Sequence, residues 1–132
     1  MPVSLSLPLT RYLARHHLED AVRGDGRATL MIDDRWRIHM HDTDDGCVTV
    51  TARLCALPAA GNERDAWLDM LGRDAVGMMG AHASGCVIDA REESLWLQQM
   101  VWPDGDDAML DEAVGQFANA LSYWTAAVRR KV

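Results

Sequence analysis

The sequence contains no apolar run that approaches the ~18 residues a membrane-spanning helix needs. The first nine residues hold several apolar side chains, but no basic residue precedes Arg11. A secretory signal places its positive charge ahead of the apolar run. We therefore expect no membrane insertion and no secretion signal.

Basic residues are also scarce. Thirteen lysines and arginines stand against twenty acidic residues, which gives a net charge of −7. Such a surface repels nucleic-acid phosphates and anionic lipids unless a local basic patch exists. The one basic run, Arg129, Arg130 and Lys131, is typical of favourable charges at the C-terminal end of a helix. The charge balance predicts no nucleic-acid partner.

Cysteine is limited to Cys47, Cys55 and Cys86. Three cysteines cannot all pair within one chain, and none belongs to a C-x-x-C motif of the kind that redox and zinc sites use. In strand-like segments a free thiol behaves as a small apolar group. We predict reduced, structural cysteines in a reducing compartment, and hence a cytoplasmic protein.

The chain is long enough for one hydrophobic core. With 132 residues and 48% hydrophobic content it should bury roughly two thirds of its unfolded surface. No internal repeat or low-complexity linker divides it, so residues 1–132 are expected to form a single domain.

The first half of the sequence predicts one helix and an antiparallel meander. Because Pro8 is tolerated only in a first turn, the helix should begin near Ser6, and it should extend to Val22 before Gly24 and Gly26 end it. Three strand-like segments follow, two of which alternate clearly between apolar and polar residues: Ala28–Ile32, residues 35–41 and residues 47–57.

The second half predicts a helix, a hairpin and a last helix. The helix should run from about residue 62 to 83, and the hairpin strands should span residues 86–90 and 95–102. The last helix carries one continuous apolar stripe: Leu110, Ala113, Val114, Phe117, Leu121, Trp124 and Val128. The prediction is an α+β fold, a twisted antiparallel five-stranded sheet with three helices in the order α-β-β-β-α-β-β-α.

No catalytic constellation is evident. His39 and His41 alternate on one strand and so share a face, but a catalytic metal site usually needs a third protein ligand. Residues 42–46 begin like a calcium loop, but Arg53 stands where the twelfth position needs a carboxylate. Since neither a G-x-S-x-G motif nor a phosphate-binding glycine loop is present, we predict a non-enzyme without cofactor or metal.

The balance of large apolar residues is unusual. Five tryptophans and eight methionines stand beside one phenylalanine and two tyrosines. In the last predicted strand, Trp96, Met100 and Trp102 alternate with Leu95, Leu97 and Val101, so both faces are apolar. Polarizable methionine and flat tryptophan suit adaptable peptide-binding surfaces. We therefore predict exposed apolar patches.

The order of elements, the length and the acidic charge resemble one family, the class I chaperones of type III secretion systems, also called the Tir-chaperone or CesT-like family. The resemblance is strongest in the helix at residues 9–22 leading into residues 28–33, and in the C-terminal helix from Asp106. It implies a homodimer that binds the N-terminal segment of a secreted effector in extended form and keeps it secretion-competent without ATP.

The resemblance also implies two contact surfaces. The dimer interface would involve the second helix and its neighbouring strand, with candidates Trp67, Met70, Leu71, Gly77, Met78, Cys86 and Ile88. The effector would contact the first helix and the strand faces, with candidates Leu9, Leu13, Trp36, Ile38, Met40, Val50 and Leu54. Two alternatives remain at this stage: a small dimeric adaptor or regulator that binds a folded partner, and a metal-dependent enzyme at His39 and His41.

Overall fold

The computed structural model describes residues 5–24, 26–32, 34–43, 46–78, 84–102 and 107–131. The predicted order α-β-β-β-α-β-β-α and the α+β class are confirmed. The elements are α1 (Leu7–Arg15), a short 3₁₀ helix (Glu19–Ala21), β1 (Ala28–Ile32), β2 (Trp36–Asp42), β3 (Val48–Ala56), α2 (Asn62–Met78), β4 (Gly85–Asp89), β5 (Ser94–Val101) and α3 (Asp107–Lys131).

Helix α1 begins as predicted but ends earlier. Ser6 is its N-cap, and the Ser6 hydroxyl accepts a hydrogen bond from the Leu9 backbone N–H. The expected extension to Val22 is wrong because His17 adopts a left-handed conformation, with φ 55°. The Leu18 N–H then donates to the Leu13 carbonyl and the His17 N–H donates to that of Ala14. These two bonds form a Schellman motif, which ends a helix even though no glycine stands there.

The five strands form one sheet in the order β1-β2-β3-β5-β4, and all four pairings are antiparallel. The observed strand ends lie within one residue of the predicted ones, and those of β1 coincide. The register between β3 and β5 shifts once, between Arg53 and Cys55. Strands β1 and β4 are therefore the two edges of the sheet.

One face of the sheet, here called the inner face, carries the core. Its register places Leu30 opposite Ile38, Met40 opposite Val50, and Ala52 opposite Leu97. The predicted apolar stripe of α3 is buried with it, and the two largest fully buried side chains are Trp124 and Phe117. The sheet and α3, with the buried face of α1, thus enclose a single core.

The opposite face, here called the outer face, carries Thr29, Met31, Arg37, His39, Thr51, Trp96, Gln98 and Met100 by the alternation of the strands. Met31, Arg37 and Met100 are exposed on it. Every buried apolar residue of the helices in the described chain belongs to the one hydrophobic core. Met31, Arg37 and Met100 therefore remain open to contact with a partner.

Candidate functional site

Five of the seven side chains expected to contact an effector lie in the core. Leu9, Leu13, Ile38, Met40 and Val50 are each exposed by 2% or less. Helices α1 and α3 cover the sheet face to which these strand residues point. The placement of these five on an open patch is therefore corrected: in this subunit they stabilise the fold and offer no surface.

The other two, Trp36 and Leu54, are only partly buried. Trp36 begins β2, and the Arg35 guanidinium lies over its ring at 4.6 Å from the centroid. Leu54 lines a cleft of about 360 Å³ between the end of β3 and the last turns of α3, beside Cys55 and Val128. Both side chains remain available as contact residues.

The expected dimer residues also divide between core and surface. Trp67 and Leu71 are 4% exposed and pack in the core, so their assignment to an interface is corrected. Met70 and Ile88 are 43% and 51% exposed.

Cys86 is partly buried against the core. For Gly77 and Met78, in the last turn of α2, the structure describes the backbone alone. Val87 was not among the expected interface residues, but it is 39% exposed on the edge strand β4, and its place between apolar neighbours in a strand was the available signal. A Cβ added to Gly72 would meet no atom within 4 Å, so this side of α2 is open within the subunit.

The edge of β1 offers backbone groups for a further strand. The Arg23 N–H donates to the Arg27 carbonyl at 2.8 Å, on the side away from β2, whereas the Ile32 carbonyl accepts from Arg35 at 3.0 Å, in the turn into β2. Residues of a strand direct their backbone groups alternately to opposite edges. The backbone N–H and C=O groups of Thr29 and Met31 therefore point away from β2.

Little in the described chain covers that edge. A single isolated bridge, from Val22, lies opposite Ala28. Residues 29–32 have β2 as their one strand neighbour in the described part of the chain. The side chain of Met31, at the centre of this segment, is 53% exposed. An open edge with an apolar side chain is a template for adding an extended peptide.

A second apolar patch lies where β5 meets α3. Met100, Trp102 and Met109 are 46%, 53% and 36% exposed and line one cleft of about 360 Å³. Met100 and Trp102 were expected on an apolar patch from the sequence, whereas Met109 was not. Its position in the first turn of an amphipathic helix was the available signal.

An ion pair and a hydrogen bond join the exposed end of α1 to α3. The Arg15 guanidinium lies 2.5 Å from one Asp111 oxygen, and His16 hydrogen-bonds to the other. Burial acts to raise the pKa of Asp111, but the hydrogen bonds from His16 and Arg15 outweigh it, and the pKa is lowered. The Tyr12 ring packs on His16 at 4.5 Å, and burial, with the charge of Asp111, raises the pKa of Tyr12.

His39 and Asp42, beside the alternating histidines of β2, already have hydrogen-bond partners. The His39 ring nitrogen lies 2.9 Å from the Thr29 hydroxyl, and both oxygens of Asp42 are used by Ser6. Burial and then the charges of nearby arginines lower the pKa of His39, and the same charges repel a cation. No cluster of three His, Cys, Asp or Glu able to hold a metal occurs among the residues that the structure describes.

The three cysteines are free thiols, as expected for structural residues. Cys47 is fully buried. Burial, and the neighbouring Cys55, raise the pKa of Cys86 to about 11, and burial also raises the pKa of Cys55. These two thiols stay protonated near neutral pH and are poor nucleophiles.

No helix in the described residues is both long enough and apolar enough to span a membrane. The sequence matches no protein-family model and no curated protein.

The fold, in contrast, matches solved structures. The chain matches a chain of the HopA1-SchA chaperone-effector complex with a TM-score of 0.63 and 11% identity, covering 95% of this chain and 99% of that one. It matches the complex of the Yersinia pestis type III secretion chaperone SycH with a fragment of YscM2, with a TM-score of 0.62 and 14% identity, over 92% and 99% of the two chains. The ExoU-SpcU complex from the type III secretion system of Pseudomonas aeruginosa gives a TM-score of 0.64 and 14% identity, over 88% and 93%. The chain therefore has the fold seen in these secretion chaperone complexes.

Proposed function

We propose that the protein is a cytoplasmic chaperone of a type III secretion system, which binds the N-terminal segment of an effector in extended form and keeps it competent for secretion. The observation that carries this proposal is the match over nearly the whole chain to structures of secretion chaperones with their partners. At identities of 11% to 14%, these matches show a common fold. The binding mode is inferred from the surfaces of this chain.

The β1 edge supports binding of an extended segment. The outward N–H and C=O groups of Met31 and the outward C=O of Thr29 offer main-chain hydrogen bonds to any sequence, and alternate side chains of an added strand would contact the two faces beside β1. A disordered segment loses several kcal/mol of conformational entropy when it orders, so further apolar contact is needed. Trp36, Leu54 and the patch of Met100, Trp102 and Met109 are the surfaces that would supply it.

A homodimer would use helix α2 and the opposite edge of the sheet. Met70 on α2 and Val87 and Ile88 on β4 are large apolar side chains that the subunit leaves exposed. The open space around Gly72 permits close approach of a second helix. Pairing through α2 and β4 would leave the β1 edge of each subunit open, so one effector segment could contact both.

The proposed activity requires no chemistry from the chain. The two thiols with raised pKa are in their unreactive form, and the carboxylate of Asp42 is used by the start of α1. The energy for holding the client would come from buried apolar area and main-chain hydrogen bonds. Binding and release would therefore need no ATP.

The test is capture of the client followed by mapping of the bound segment. Tagged full-length protein would be used to recover its partner from a lysate of the source organism without nucleotide, and the complex would be trimmed by limited proteolysis. We expect one protein whose protected fragment lies in its N-terminal region, with a length of roughly 50–100 residues for a segment burying about 1,000–3,000 Å².

Hydrogen exchange then distinguishes the two binding modes. The protected segment should lack slow-exchanging amides when free and gain them in complex, because an extended segment finds its hydrogen bonds only on the chaperone. A partner that is already protected when free, or a protected fragment outside the N-terminal region, would contradict the proposal and favour the adaptor that binds a folded protein.

A further inference from the structure

The outer face carries a basic cluster at its β1 and β2 end. Arg37 and His39 lie on β2, and Arg23 and Arg27 flank the turn that leads into β1. Burial, followed by the charges of Arg27, Arg23 and Arg37, lowers the pKa of His39, so these three arginines act on one point. No described carboxylate is among the charges that shift this pKa.

This cluster contrasts with the rest of the chain, whose net charge is −7. Neither Arg23 nor Arg37 takes part in any of the ion pairs between described residues. Arg27 lines a cleft of the outer face together with Asp89 and Glu92. These two carboxylates lie at the end of β4 and in the turn after it, and Asp89 already accepts two backbone N–H groups. A chain with excess carboxylates thus places the charges of Arg23 and Arg37 beside an open strand edge.

The geometry of the sheet relates this cluster to the β1 edge. Met31 pairs with Arg37 across β1 and β2, so Arg37 lies one strand, about 4.8 Å, from β1 on the outer face. Arg27 and Arg23 lie at the start of the same edge. In a strand added to β1, every second side chain points to the outer face. Those side chains would lie among Met31 and the guanidinium groups, whereas their neighbours would point to the apolar inner side.

We propose that the outer face at β1 and β2 binds an acidic, extended segment of the partner protein, in which carboxylates alternate with apolar residues. The charge of the cluster selects carboxylates, and the spacing of the pleat selects alternation. A peptide is favoured over a nucleic acid because the edge offers backbone hydrogen bonds, and because the net charge of −7 repels a long polyanion beyond the cluster. The proposal rests on the proposed function for its client, but it makes a separate claim about the sequence of the bound segment.

The probes are three fluorescein-labelled peptides of about eight residues, a common strand length, in which valine alternates with glutamate, glutamine or lysine. Fluorescence anisotropy with the full chain measures their affinities. We expect the glutamate peptide to bind about tenfold or more tightly than the glutamine peptide, and the lysine peptide not to bind. The advantage of glutamate should shrink as salt is raised from about 0.05 to 0.5 M, because the contacting charges are exposed.

A double variant and a control variant, both of which replace arginine by glutamine, locate the site. Arg23→Gln combined with Arg37→Gln should bring the glutamate peptide to the affinity of the glutamine peptide. Arg73→Gln is the control, because Arg73 is an 80% exposed arginine on α2 whose ion pair partner is Asp69 of the same helix. It should leave the preference unchanged. The ring signal of His39 in NMR should also titrate at higher pH with the glutamate peptide bound, since carboxylates offset the three arginines.

Four results would overturn the proposal. Three are equal affinity for the glutamate and glutamine peptides, an unchanged preference in the double variant, and an unshifted His39 titration. The fourth is displacement of the bound peptide by an oligonucleotide, or by anionic phosphatidylglycerol vesicles, at a lower concentration than unlabelled peptide requires.

These results can be distinguished from a failure of the proposed function. A captured effector that binds the double variant normally would support the chaperone function and refute the acidic segment. Selective binding of the glutamate peptide without any captured effector would do the reverse.

Discussion

Ser6 and Asp42, thirty-six positions apart, join the start of α1 to the end of β2. The Ser6 backbone N–H donates to one oxygen of the Asp42 carboxylate at 2.7 Å, and the Ser6 hydroxyl donates to the other at 2.5 Å. The same hydroxyl caps α1 by accepting from the Leu9 N–H. One carboxylate thus sets where the first helix begins relative to the sheet.

Asp42→Ala should therefore destabilise the fold by about 1.5–3 kcal/mol, the range for hydrogen bonds to a charged group that leave their donors unsatisfied. Urea unfolding followed by circular dichroism measures the change. Glu92→Ala, in the exposed turn before β5, is the control and should stay within about 0.5 kcal/mol of the parent. Equal stability of Asp42→Ala and the parent would show that the helix start is fixed by other contacts.

The β1 edge can be tested with two adjacent prolines. Met31→Pro removes an N–H that points away from β2, so the sheet should survive while client binding is lost or falls at least tenfold, because proline is tolerated on sheet edges. Leu30→Pro removes an N–H that points to β2 and should lower the free energy of unfolding by about 3 kcal/mol or more. Met31→Ala separates the side chain from the backbone and should weaken binding less than the proline does. Normal client binding by a folded Met31→Pro protein would exclude strand addition at β1.

The dimer surface makes a separate prediction. Met70→Asp and Ile88→Asp each place a charge on an exposed apolar residue of α2 or β4, and each should shift a dimer towards a folded monomer because a buried unpaired charge is costly. Sedimentation velocity gives the mass, and circular dichroism confirms folding. Met109→Asp is the matched control on α3 and should remain dimeric. A parent chain that sediments as a monomer would refute the homodimer itself.

The Asp111 contact predicts a dependence of stability on pH. Its pKa is lowered in the folded state from the ordinary value of 3.8, so its contribution is present above that value and is lost as pH falls through the lower, folded pKa. Since about a third of the side chain is exposed, the contribution should not exceed about 1 kcal/mol. The parent should be more stable than Asp111→Asn at pH 6, and the difference should close below pH 3.8. A difference that is constant from pH 6 to 2 would contradict this account.

Ile38 illustrates what burial changes in an experiment on binding. Ile38→Asp would place a carboxylate at a fully buried position of the inner face and should lower the free energy of unfolding by several kcal/mol. Any loss of binding in this variant would therefore report loss of structure. Thermal unfolding measures it. Ile38→Val is the conservative control, with an expected cost of about 0.5–1.5 kcal/mol. A folded, monodisperse Ile38→Asp protein would show that the inner face is accessible after all.

The sequence alone determined the order, type and approximate limits of the elements, because alternation with period two, the apolar stripe of α3 and the turns are local patterns. It also determined which side chains share a face, such as Trp36, Ile38 and Met40. It missed the early end of α1, since the left-handed residue there is His17 and not glycine.

Only the tertiary structure decided which face of the sheet is covered, because core and contact surface are both apolar with period two. Packing of α1 and α3 on the inner face turned Leu9, Ile38 and Val50 from expected contacts into core. Packing also left Met31, Met70 and Ile88 outside, and the strand register gathered distant arginines around His39. Local patterns specify the faces of each element, whereas the neighbours of each face depend on contacts between residues far apart in the chain.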